Sequence, residues 1–163
     1  MKPFEISRVF DAPRERVWKA WTEVEHLKRW WGPKGFTVTH CKLDLRPGGI
    51  MHYCLRMPDG KEMWGKFVYR EIVKPERLVW VNSFSDKDGG VTVHPMNANW
   101  PREMLSTAIF EAQGGKTKIT LQWIPLDGSS DLERQTFEQG RESMKMGWTG
   151  TMDQFANYLK KGA

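Results

Sequence analysis

Side chains able to do chemistry are sparse in this sequence, and those that occur sit among large apolar ones. Asn82 falls between Leu78, Trp80 and Phe84 in an alternating run, Tyr69 shares a face with Phe67, and Arg141 lies on the stripe of a helical segment. A carboxamide, a phenol and a guanidinium in apolar surroundings can orient a ligand's carbonyl, hydroxyl or carboxylate. Two of them also have a structural use: Asn82 can close a strand end, and Arg141 can pair with Glu138 or Glu142. Acid–base catalysis would call on a histidine or a carboxylate with a shifted pKa. His94, ahead of Pro95-Met96 in a long loop, is the histidine placed to hang over a pocket mouth. His40 and His52 read as outward-facing on strands, and His26 lies on a short helix. No nucleophile elbow, phosphate loop or dinucleotide fingerprint is visible, so catalytic residues stay unassigned and no cofactor is expected. Cys41 and Cys54, with His40 and His52 nearby, lack CxxC and HExxH spacing; neither a disulfide framework nor a metal site is expected.

The elements that must position these residues can be read from periodicity. Glu5–Asp11 alternates and predicts a first strand. Asp11-Ala12-Pro13 opens a short helix carrying Val17, Ala20 and Trp21, and Thr22 with Glu25 has the capping-box spacing of a second, stopped by Gly32-Pro33. Phe36–Leu45 and Ile50–Met57 flank the turn Arg46-Pro47-Gly48-Gly49. Their apolar sets share a face if Leu45 opposes Met51, Leu43 opposes Tyr53 and Cys41 opposes Leu55, a register that puts Cys54 outside. Strands through Phe67 and Tyr69, and through Leu78–Phe84, follow. Ser85–Glu103 is then long enough to act as a lid, anchored at Trp100-Pro101. Gly114-Gly115 closes a last hairpin in which Phe110 opposes Ile119, Ala108 opposes Leu121, Ser106 opposes Trp123 and Glu111 opposes Lys118. Ser130 and Glu133 cap a long helix whose stripe is Phe137, Arg141, Met144, Trp148, Met152, Phe155 and Leu159. Gly140, Gly147 and Gly150 interrupt it, which lets a strand, a helix or a ligand approach the backbone.

The 163 residues suit one domain, 1–163. No apolar run of about 18 residues and no signal-peptide core occur, so no membrane is expected and the protein reads as cytoplasmic. The net charge of +5 is interspersed and forms no nucleic-acid face. Nine Trp, eight Phe and nine Met point to a roomy interior, or to a core that simply uses large residues. The shared faces define an expected cavity wall. It takes Leu43, Tyr53, Phe67 and Tyr69 from the first strands, Trp80, Asn82, Phe110, Leu121 and Trp123 from the later ones, and Arg141, Met144 and Trp148 from the helix.

Certain motifs occur in a telling order: Phe10-Asp11-Ala12-Pro13 with Val17-Trp18, His26–Pro33, Asp44–Gly49, Arg70–Trp80, and Gly147-Trp148 with Phe155. In this the chain resembles the branch of the SRPBCC (START-like) superfamily named after the activator of the Hsp90 ATPase. The resemblance implies an α+β helix-grip fold: a curved antiparallel sheet of about seven strands, two short helices, and a long C-terminal helix over a cavity. A small hydrophobic molecule is then the expected partner. A cyclase, dehydratase or hydrolase using the same pocket is the alternative, and the family name adds a chaperone-regulating module as a third reading.

Overall fold

The computed structural model describes residues 1–162; the last residue of the 1–163 span, Ala163, lies outside the described residues. Eight strands are formed among them: β1 Phe4–Phe10, β2 Thr37–Leu43, β3 Ile50–Arg56, β4 Glu62–Val73, β5 Arg77–Ser85, β6 Val91–Thr92, β7 Met104–Gln113 and β8 Lys116–Pro125. The helices are α1 Arg14–Thr22, α2 Val24–Trp30, α3 Asp131–Gln139 and α4 Arg141–Lys160. The sheet is antiparallel with order β1-β8-β7-β5-β4-β3-β2, and β6 adds to β5. This is the expected α+β class. The strand beyond the seven expected is β6, a two-residue piece inside the long loop.

The β7–β8 hairpin has the register read from its alternation, with Phe110 opposite Ile119 and Glu111 opposite Lys118. Its turn needs the positive φ of Gly114, +63°, which a side chain resists. The β2–β3 hairpin differs from expectation. Leu43 pairs with Met51 and Cys41 with Tyr53, two residues from the predicted register. The cause is a longer turn: Asp44 N–H donates to Ile50 O, and Gly49 lies so close to the Asp44 carbonyl that a Cβ there would be 2.0 Å from it. A slip of two keeps every side chain on its face. Both thiols are free and on opposite faces, as expected, and Cys54 is on the outer face but buried there. Its cross-strand neighbours on the outer face, His40 and Trp64, flank it.

The long C-terminal helix is divided. Ser130 and Glu133 form the expected capping box for α3, but Gly140 ends α3 and caps α4. Thr22 does not cap α2: it remains the last residue of α1, its hydroxyl donating to Trp18 O at 2.7 Å.

One end of the groove between sheet and helices is filled by rings. Trp18 and Trp21 of α1 meet Phe110 edge-on at 5.5 and 5.6 Å, and Trp30 of α2 lies 4.4 Å from Phe155. All five are buried. Trp30 also donates its indole N–H to Ala20 O at 2.9 Å, which holds α2 against α1.

Candidate functional site

At the other end of the groove the walls separate and leave a cavity of about 640 Å³. Trp31 stands at the boundary. It is the residue after α2, in extended backbone enforced by the Gly32-Pro33 stop, and its ring is turned toward the sheet. It meets Tyr53 at 5.7 Å, Phe67 at 5.5 Å and Trp148 at 5.9 Å, each edge to face. Trp123 closes the far side against Trp148 at 5.4 Å. Met63, Leu55 and Met104 complete the sheet wall, and α4 supplies Met144, Gly147, Trp148 and Thr151.

Of the residues expected at the wall, Tyr53, Phe67, Asn82, Trp123, Met144 and Trp148 line the cavity. Leu43, Tyr69, Trp80, Phe110, Leu121 and Arg141 do not, and each has a local reason. Leu43 pairs with Met51, at the opposite end of β3 from Leu55. Tyr69 is enclosed, its hydroxyl directed at Met51 Sδ, 3.8 Å away. Trp80 is stacked on Phe67 at 4.7 Å. Phe110 is covered by Trp18 and Trp21, and Leu121 is buried between Ala108 and Ile6 on the neighbouring strands. Arg141 is turned away because the break at Gly140 puts it in the first turn of α4. There it pairs with Glu138, Nε to Oε2 at 2.9 Å, and donates to the carbonyls of Lys2 and Pro3.

Two of the three helix glycines noted in the sequence, Gly140 and Gly147, have separate roles. A Cβ on Gly140 would lie 2.6 Å from the Trp100 ring, so this glycine admits Trp100, which also packs on Phe137 at 6.1 Å. A Cβ on Gly147 would meet nothing within 4 Å, and this glycine borders the cavity. A strand glycine, Gly65, carries no signal in the sequence. It pairs with Tyr53 across β3 and β4, and a Cβ there would lie 2.4 Å from the Tyr53 hydroxyl. The Tyr53 ring thus lies flat across Gly65, and its place in the wall depends on that missing side chain. Trp31, too, was hidden by its neighbours, since it reads as helix; the Gly-Pro stop was the available signal.

The long loop forms one side of the mouth through His94, Met96, Asn97, Trp100 and Pro101. It is tied down at its start, where Asp86 Oδ1 accepts from Asp88 and Gly90 N–H, both at 2.9 Å. The His94 ring lies 4.7 Å from Phe84, and its Nδ1 accepts from Met96 N–H at 2.9 Å. Burial holds the His94 pKa below the ordinary imidazole value. With Nδ1 occupied, the neutral ring carries its proton on Nε2 and acts as a donor, not as a base.

No charged side chain lines the cavity among the described residues. Burial pushes Tyr53 up to about 12, against a smaller opposing pull from the nearby Trp31 N–H. Its phenol therefore remains protonated at neutral pH. Asn82 accepts a short hydrogen bond from the Ser106 hydroxyl through Oδ1.

An antiparallel sheet gripping a C-terminal helix, with an apolar cavity at one end of the groove, defines an α+β helix-grip protein. The family model described as Activator of Hsp90 ATPase homolog 1-like protein matches residues 11–160, and the chain belongs to that family. Among solved structures, a protein from Nitrosomonas europaea is 24% identical with TM-score 0.77, covering 99% of this chain and 96% of that one. One from Arthrobacter aurescens is 25% identical with TM-score 0.78, covering 98% and 86%. The AHSA1 protein from Silicibacter pomeroyi is 17% identical with TM-score 0.74, covering 99% of each. No curated protein matches the sequence.

Proposed function

We propose that this protein binds a small apolar or aromatic molecule in the cavity between the sheet and α4. The observation that carries the reading is the void itself. About 640 Å³ stays open between Trp31, Tyr53 and Phe67 on one side and Met144 and Trp148 on the other. Interiors otherwise pack to crystal density, and a volume of this size matches the usual range of ligand pockets. The family description names activation of the Hsp90 ATPase; a docking surface for a chaperone would not need a deep apolar cavity, which is why the cavity reading is preferred. Equilibrium dialysis against 2-ethylnaphthalene, a neutral probe of suitable size, tests it. Saturable binding with one site per chain is expected. Partition without saturation would sink the reading.

A further inference from the structure

We propose that the molecule held in this cavity is uncharged and carries a hydrogen-bond acceptor, a carbonyl or ether oxygen, that takes hydrogen bonds from the Asn82 carboxamide and from His94 Nε2. The inference rests on the binding reading above and narrows its ligand class.

The direction of the Asn82 hydrogen bonds follows from its neighbour. Ser106 is fully buried, and its hydroxyl donates to Asn82 Oδ1. Were the carboxamide reversed, the Ser106 hydroxyl hydrogen would be enclosed with no acceptor, a penalty that a turn of the amide removes. Oδ1 is therefore committed to Ser106, and the NH2 group is left to serve the cavity that Asn82 lines. His94 is fixed in the same sense. Its Nδ1 accepts from Met96 N–H, so its remaining ring nitrogen is an N–H donor. The two donors belong to one stretch of wall. His94 packs on Phe84, which follows Asn82 by two residues on the same face of β5, about 7 Å along the strand.

The rest of the wall sets the charge. With no Arg, Lys, Asp or Glu among the described lining residues, a carboxylate or an ammonium would shed its water and meet no counter-charge. A pure hydrocarbon would leave the Asn82 and His94 donors facing it unpaired. A neutral ring system with an acceptor oxygen satisfies both conditions.

Three probes of one shape separate the terms: 2-acetylnaphthalene, 2-ethylnaphthalene and 2-naphthoate, each measured by equilibrium dialysis with the full chain. The acetyl compound should bind about 3–10-fold tighter than the ethyl compound, and the naphthoate weakest of the three. The acetyl-over-ethyl affinity ratio should fall toward parity in Asn82→Ala and in His94→Phe. Asn82→Ala strands the Ser106 hydroxyl and can fail to fold; His94→Phe keeps a ring against Phe84 and then decides alone. Equal acetyl and ethyl affinities, tightest binding of the naphthoate, or a preference that survives in His94→Phe would each overturn the proposal while leaving the cavity reading intact. If none of the three probes binds, both readings fall together.

Discussion

The two ends of the groove are built from the same materials and do different things. Both lie between one sheet and one helix, and both are walled by tryptophan, phenylalanine and methionine. At the closed end α1 and α2 push Trp18, Trp21 and Trp30 into Phe110 and Phe155, with centroids 4.4–5.6 Å apart. At the open end the covering element is a loop, and about 640 Å³ stays unfilled. Aromatic content therefore does not distinguish a packed core from a cavity. The element laid over the rings does, and Trp31 marks where one regime passes into the other.

The largest expected effect tests that contrast through stability. Phe155 is fully buried between Phe10 and Trp30, at 5.0 and 4.4 Å. Phe155→Ala opens a hole in a filled region and should cost about 3–5 kcal/mol. Met144 is buried but already borders the void, and Met144→Ala should cost about 2 kcal/mol, the low end of such truncations. Guanidinium unfolding of both variants measures the difference. Equal costs would mean that the two ends are packed alike, and the comparison would fail.

A second test asks whether the open end is dry. Burial raises the Tyr53 pKa to about 12, above the value of about 10 in an unfolded chain. A raised folded pKa means that the folded state holds the proton more tightly. The resulting stability is fully present below pH of about 10 and is lost as the pH rises toward about 12. Unfolding free energy measured across that window should fall less steeply in Tyr53→Phe than in the parent, by about 2 kcal/mol in total. Tyr69 is also raised by burial and acts equally in both proteins. The Cys41 thiol, raised by burial to about 11, faces Tyr53 across the strands and disfavours its phenolate, so the difference reports Tyr53 together with that coupling. Matching slopes would mean that water reaches the phenol and the cavity is solvated.

Much of the architecture could be read from the sequence because it is local. Alternation set the β7–β8 register through Phe110 and Ile119, and the Ser130–Glu133 pair marked the start of α3. The position of the cavity along the groove was not local. Alternation tells which face a residue occupies, not what covers it. Phe110, Leu121 and Trp80 are on the inner face, like Tyr53 and Phe67, yet Phe110 lies under α1, Trp80 lies in a ring stack and Leu121 is buried between Ala108 and Ile6. Arg141 departs from the expected stripe for a related reason. The periodic stripe runs on through Gly140, whereas the helix breaks there, at a glycine that admits Trp100 from a loop some forty positions earlier.

The smallest effect sets the two helix glycines against each other, one on each side of the contrast between filled and open. At Gly140 the added methyl of Gly140→Ala would fall 2.6 Å from the Trp100 ring. That ring also packs on Phe137, so it must shift to admit the methyl. A destabilisation of about 1–3 kcal/mol is expected, as for other overpacked sites. At Gly147 the side chain of Gly147→Leu would enter open space. Replacing an interior helical glycine with a good helix former favours the helix by about 0.5–1 kcal/mol. Stability should therefore hold or rise. The leucine occupies part of the cavity rim, however, and 2-ethylnaphthalene binding should weaken by about tenfold, the equivalent of about 1.4 kcal/mol. Unfolding and dialysis run on both variants give opposite signs if the two glycines serve packing and cavity respectively. A Gly147→Leu protein that unfolds would show the rim to be filled, and one that binds the probe unchanged would show that the ligand sits elsewhere in the groove.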